Sequence, residues 1–311
     1  MAQNTVAAPA QTKPKKQKPS QFSGMSKALV RRETISAYLF LLPSLIFFVS
    51  FVVVPMFICV VYSFLEYDLS GVRGFAGLDN YIKLFQDPVF HRGFLNTVLI
   101  VVVAVPTVAA FSLWVSSAIY KMHPLPRSFF RCVFYLPVVT GSVAITVVWK
   151  WILDPYYGLI NQVAGTGTFD WLGNQHTAIW FIILILFTTS IGQPIVLYVA
   201  ALGNVDQSLI EAAQVDGATK LQVFWKIKWP QIMPTTLYVL VITTINSFQC
   251  FALIQLLTKG GPLNSTMTIM YQVYDTAYRL NDLGYANAIG VVLAIIIAIF
   301  SAVQFKLAKT E

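Results

Sequence analysis

Residues 37–64 read AYLFLLPSLIFFVSFVVVPMFICVVYSF, 28 positions without one Asp, Glu, Lys, Arg or His. A helix needs about 20 apolar residues to cross the hydrocarbon core of a bilayer, so this block is long enough to span one. It is too long for the apolar region of a signal peptide and lacks a small-residue cleavage signature. Five more blocks follow at roughly Thr97–Tyr120, Phe129–Leu153, Ala178–Leu202, Pro234–Leu257 and Gly284–Phe305. The 311-residue chain is 57% apolar and 11% charged, against roughly 25% charged in soluble domains. These features predict an all-α, polytopic membrane protein with six transmembrane helices. They exclude a nuclear factor, a secreted disulfide scaffold and an ordinary cytosolic enzyme.

Lysines and arginines set the orientation. With the N-terminus in the cytoplasm, 15 of the 21 fall in cytoplasmic segments, so both the N- and C-termini are expected to be cytoplasmic. Residues 1–30 are rich in Pro, Gln, Ser and Lys and hold too few large apolar groups to offset ordering entropy. They are expected to form a disordered basic cytoplasmic tail ahead of a membrane domain over 31–311. Lys13, Lys15, Lys16 and Lys18 act there as a topology signal or touch anionic headgroups; no groove-reading element accompanies them, so nucleic acid is not an expected partner. Cys59, Cys132 and Cys250 are scattered, as are His91, His123 and His176. That spacing supports neither a disulfide framework nor a metal site.

The longest cytoplasmic loop between spans, residues 203–233, reads GNVDQSLIEAAQVDGATKLQVFWKIKWPQIM. Asp206 is placed to cap a helix beginning SLIEAA. Ile210, Ala213 and, across the turn, Val215 offer it a small apolar face, and Gly217 permits a turn with positive φ. A second amphipathic stretch, LQVFWKIKW, runs to Pro230. Two short helices outside the bilayer make a knob, and physics alone leaves open whether it docks a partner or merely connects.

The spacing of Glu211-Ala212-Ala213, Gly217, Ile227 and Pro230 resembles the EAA loop of permease subunits in binding-protein-dependent ABC importers. Asp216 and Ala218 fit its extended form EAAxxDGA, while Trp229 stands where the pattern usually has Leu. Leu257-Thr258-Lys259-Gly260-Gly261-Pro262 with Thr266 is similar to the LTxGGPxxxT signature of maltose-type carbohydrate permeases, and is more typical of the first permease of the pair. FAGLDNY at 75–81, with Asp87-Pro88 and Asn96-Thr97, resembles the family's first external loop. The resemblance implies a type I ABC importer permease fold: a multi-pass half-pore in a bacterial plasma membrane, in a heterodimer with a second permease. A cytoplasmic ATPase dimer and an extracellular substrate-binding protein complete the implied assembly. Glu211 would be the charged contact to the ATPase, Gly217 the turn, and Ala212 and Ala213 a close-packing face. ATP and Mg²⁺ would belong to the ATPase, with no cofactor on this chain.

Uncharged polar groups inside the spans bear on the substrate. FTTSIGQPIVLY at 187–198 carries Thr188, Thr189, Ser190 and Gln193; VITTINSFQCF at 241–251 carries Thr243, Thr244, Asn246, Ser247 and Gln249. Amides that donate and accept suit a sugar's hydroxyls; hydrogen bonding between helices is the competing reading, and hydroxyls also satisfy their own helix. Gln193, Asn246, Ser247 and Gln249 are the candidate sugar contacts, the resemblance favouring Gln249 and Ser247. Asn246 and Gln249 share a helical face from which Ser247 diverges. Ala178–Leu202 and Pro234–Leu257 contain no Asp, Glu, Lys, Arg or His, whereas an ion-coupled transporter usually needs such a group. No acid–base pair or metal set suggests an enzyme, and no GxxxxGK[ST] run cradles phosphate. The expected function is non-enzymatic import of a carbohydrate, an oligosaccharide in the first instance, with a secondary transporter of a polar solute as the alternative.

Overall fold

The computed structural model describes residues 27–308. Of the expected basic tail, residues 1–26 lie outside the described residues, as do 309–311, while residues 27–30 already belong to the first helix. The chain divides into two units after Phe57. In the first, α1 (Lys27–Phe48) continues through a π-helical turn at Val49–Val53 into α2 (Val54–Tyr62), which crosses the division. Glu33–Tyr62 gives 30 continuous residues, enough to cross a membrane.

The second unit opens with a hairpin of β1 (Leu65–Asp68) and β2 (Gly71–Phe75), a local departure from the all-α expectation. Its turn is set by the Asp68 carboxylate, which accepts from the Ser70 amide at 2.8 Å and pairs with Arg73. The helices then run α3 (Asp79–Gln86), α4 (Pro88–Ile119), α5 (Pro124–Thr140), α6 (Ser142–Ile152), α7 (Leu159–Ala164), α8 (Ala178–Ser190) and α9 (Gly192–Gly203). They continue as α10 (Gln207–Val215), α11 (Lys220–Val223), α12 (Trp229–Phe248), α13 (Ala252–Leu257), α14 (Ile269–Tyr274) and α15 (Leu283–Ala308).

Four continuous stretches are long and apolar enough to span: Glu33–Tyr62, Pro88–Ile119, Lys220–Leu257 and Leu283–Lys306. The other two expected spans are broken. α5 and α6 meet at 99°, and α8 and α9 at 43°, so the spans number four to six according to how each bent pair is counted. The first break falls at Gly141, whose φ is +84°. The second has a chemical cause in Pro194, which lacks an N–H and leaves the Ser190 carbonyl without its i+4 donor.

α4 is the central strut, packed against α8, α9 and α12. Its buried stripe Thr97, Ile100, Val101, Ala104, Val108, Ser112, Val115, Ser116 and Ile119 repeats at three and four residues, one face of a helix. Ser112 and Ser116 donate to the carbonyls of Ile191 and Ile195 on α9 at 3.3 and 3.0 Å. Small hydroxyl residues of this kind let membrane helices approach closely where no hydrophobic force between them exists. On the other side of α9 the approach is closer still. A Cβ on Gly192 would lie 2.4 Å from the Phe134 carbonyl of α5.

Candidate functional site

The loop at 203–233 folds into the two-helix knob that its spacing predicts. Asp206 caps α10, accepting from the Ser208 amide and hydroxyl at 2.9 and 2.8 Å. These bonds, the hydroxyl's first, hold the Asp206 carboxyl below the ordinary aspartate range. α10 ends in a Schellman motif: Ala218 N–H bonds Ala213 C=O at 2.9 Å, Gly217 N–H bonds Gln214 C=O at 3.1 Å, and Gly217 sits at φ +80°. Thr219 and Gln222 then form a capping box that starts α11. A π-helical turn at Phe224–Lys228 leads into α12, with Pro230 just past the junction.

The motif residues divide by direction. Ile210 and Val223 are buried against Leu202, Val205 and Ile232, with Ala213, Ala218, Ile227 and Trp229 partly buried on the same cluster. Glu211, Ala212, Asp216 and Gly217 face out, and Glu211 accepts from Gln207 Nε2 at 3.1 Å. Val215 corrects the apolar face expected of it: at 88% exposure it points away from Ile210 and Ala213. With exposed Leu209 and Leu221 it gives the knob an outward apolar surface around Glu211, which the sequence reading missed.

The polar residues of the spans sit at chain breaks. Gln193 lies in the first turn of α9, just past the bend, and Gln249 caps the end of α12 where the chain turns toward α13. Gln193, Asn246 and Gln249 are exposed and their side chains make no hydrogen bond among the described residues, nor does one join them to each other. Ser247 differs from these three in being buried, at 2% exposure. The threonines follow the interhelical and own-helix reading: Thr188 and Thr189 donate to Ile185 C=O at 2.8 and 3.1 Å, and Thr244 accepts from Gln304 of α15 at 2.7 Å. Just beyond Gln249 an aromatic run unnoticed in the sequence sets Phe251 against Tyr274 and Tyr274 against Tyr278, tilted ring pairs with centroids 4.9 and 5.2 Å apart. Its signal was the i, i+4 tyrosine pair.

The remaining signature residues hold one another. Asn96 Nδ2 donates to the carbonyls of Asn264 and Met267 at 3.1 and 2.9 Å, and Thr97 Oγ1 accepts from the Ile269 amide at 3.1 Å. Thr266 donates to Gly261 C=O at 2.7 Å inside the Gly-Gly-Pro loop, where Lys259, Leu263 and Asn264 all have positive φ. Asp87 ties three helices, accepting from Val89 N, Gln272 Nε2 and Tyr285 Oη at 2.8, 2.9 and 2.8 Å. Among the described residues no group of His, Cys, Asp or Glu is placed to hold a metal.

This arrangement has counterparts. Residues 89–310 match the family described as binding-protein-dependent transport system inner membrane component. The chain is 34% identical to the probable ABC transporter permease protein YurN of Bacillus subtilis, covering 91% of this chain and 99% of that one. It is 30% identical to the multiple sugar-binding transport system permease protein MsmF of Streptococcus mutans, covering 87% and 94%. Its fold resembles a chain from the crystal structure of a bacterial ABC transporter involved in the import of the acidic polysaccharide alginate, with a TM-score of 0.79 at 22% identity over 91% of this chain and 98% of that one. A match of this extent, over a helical body with apolar spans, leaves one conclusion: the chain belongs to the permease family of binding-protein-dependent ABC transport systems and is a multi-pass protein of the plasma membrane.

Proposed function

We propose that this chain is one of two permease subunits of an importer that takes up a carbohydrate handed over by an extracellular binding protein. The observation that carries the coupling half of this reading is the knob, where a Schellman turn at Gly217 fixes α10 so that Glu211 and its apolar surround face outward. In this reading α10 seats in a cleft of a cytoplasmic ATPase, through Glu211, Ala212, Ala213, Asp216 and Gly217, with Ile227 and Pro230 fastening the knob to α12. ATP and Mg²⁺ stay on that ATPase; the permease binds no cofactor and catalyses no chemical step. Each bent helix pair counts as one span, giving six, with both termini cytoplasmic. Gln193, Asn246 and Gln249 line the path, supported by their exposure at chain breaks, since broken helices are where membrane transporters place substrate groups. Carbohydrate is favoured by uncharged amides beside an aromatic run, and by the sugar transport in the names of relatives.

Reconstitution tests this. Proteoliposomes holding this chain, its companion permease and the ATPase should take up labelled oligosaccharide only with external binding protein and internal ATP. Uptake without ATP that a protonophore collapses would favour a secondary transporter instead. Uptake of sn-glycerol 3-phosphate but no sugar would keep the importer and replace the substrate.

A further inference from the structure

At the base of the knob, between α10 and α11 and floored by the end of α4, lies a cleft of ≈ 250 Å³. Lys121, Lys220 and Lys228 line it together with Tyr120, Ser117 and Gln214, and no carboxylate does. Two ammonium groups converge on one ring: Lys228 Nζ donates to Tyr120 Oη at 2.6 Å and lies 5.0 Å from the ring centroid, and Lys121 Nζ lies 5.8 Å from the same centroid. None of the three lysines takes part in an ion pair among the described residues. The Ser117 hydroxyl is buried in this wall without a hydrogen-bond partner among the described residues. Gathering like charges without a counter-ion is unfavourable, and a buried unpaired hydroxyl adds to the cost. An anion with several acceptor oxygens would supply the counter-charge that the lysines lack among the described residues.

We infer that this cleft is a binding site for a phosphate-bearing anion, either the headgroup of an anionic phospholipid or a free phosphorylated solute. Basic pockets at the cytoplasmic ends of membrane helices bind anionic headgroups in this way. Because Gln214 belongs to one arm of the Gly217 turn and Lys220 to the other, an occupant bridges the two arms. The sidedness rests on the cytoplasmic location proposed above for the knob; the anion chemistry does not, and binding is measured without transport.

The full chain, purified in neutral detergent with an equal mixture of phosphatidylglycerol and phosphatidylcholine, is examined by native mass spectrometry for retained lipid. It is also melted in phosphatidylcholine nanodiscs with and without inorganic phosphate. Preferential retention of phosphatidylglycerol, falling roughly tenfold in Lys121→Gln/Lys228→Gln, identifies a headgroup site. A rise in melting temperature with inorganic phosphate, lost in the same variant, identifies a free-phosphate site. Lys226→Gln, an exposed neighbour outside the cleft, should change neither. Lys220→Gln, at a side chain that makes no hydrogen bond among the described residues, covers the case in which the double variant does not assemble, and should weaken binding by itself. No preference for either anion, or equal loss in Lys226→Gln, overturns the site.

Discussion

At Gly217 nothing among the described residues lies within 4 Å of where a Cβ would sit, so within this chain a Cβ there acts through backbone strain and not through a clash. A β-branched residue at φ +80° costs about 1–2 kcal/mol, enough to reorient α10 without unfolding the helices behind it. Gly217→Val and Glu211→Ala should both abolish ATP-driven uptake while membrane insertion stays normal, and less ATPase should co-purify; wild-type uptake by both variants would remove the docking role. Gln249 offers the opposite test. Its amide makes no hydrogen bond among the described residues, so Gln249→Leu should leave the melting temperature unchanged. The lost contact, ~1–3 kcal/mol, should raise the apparent KM for sugar roughly tenfold with basal ATP hydrolysis intact. Asp206 adds a pH dependence. A cap whose folded pKa is lowered stabilises α10 above the unfolded pKa and loses that contribution as pH falls through the folded one. Asp206→Asn, which keeps an accepting oxygen, should flatten the acid limb of amide exchange measured across α10. Gly217 was legible in the sequence because one residue type alone adopts that φ freely. Val215 was not, because five residues from Ile210 turn a helix by about 140°, a rotation that a list of apolar residues conceals.

Among the elements, the Gly-Gly-Pro loop shows how a recognisable signature can be architecture. Its positive-φ residues persist because Asn96 and Thr97 of α4 grip the segment from one side and Thr266 from within. Asn96 is 6% exposed, and Asn96→Ala takes the side-chain donor from the Met267 carbonyl, while the Asn264 carbonyl keeps the Met267 amide. It should destabilise the chain by ~1–3 kcal/mol, read as a lower melting temperature of the purified chain, while the KM for sugar stays put. A changed KM at full stability would make Asn96 part of the sugar path. The apolar blocks announced where helices lie but not where they bend. Hydropathy counts side chains, whereas the 43° break follows from a hydrogen bond that Pro194 cannot make. The 99° break at Gly141 carries still less composition signal, since α5 and α6 remain apolar on both sides of it.

For the molecule as a whole, the proposed orientation makes a direct forecast. In a cysteine-free background, single cysteines at Val215 and Tyr156, 88% and 73% exposed, should meet a membrane-impermeant maleimide differently. Tyr156→Cys should label in intact cells and Val215→Cys only after permeabilisation; the reverse pattern would invert the chain. Fold class and the two-helix knob were readable because each depends on short-range pattern. The pairing of Asn96 with Met267, of Asp87 with Tyr285 and of Tyr120 with Lys228 joins residues far apart in sequence, and no local spacing encodes it. One such long-range partnership also bears on how the chain is made. α6 rests mainly on α13, which begins about a hundred residues later in the chain. A ribosome adding ~5–20 residues per second needs about 5–20 s to supply it. For that interval the newborn α6 has only its lesser contacts with α5, α7 and α8, and its main partner comes with the second half of the protein.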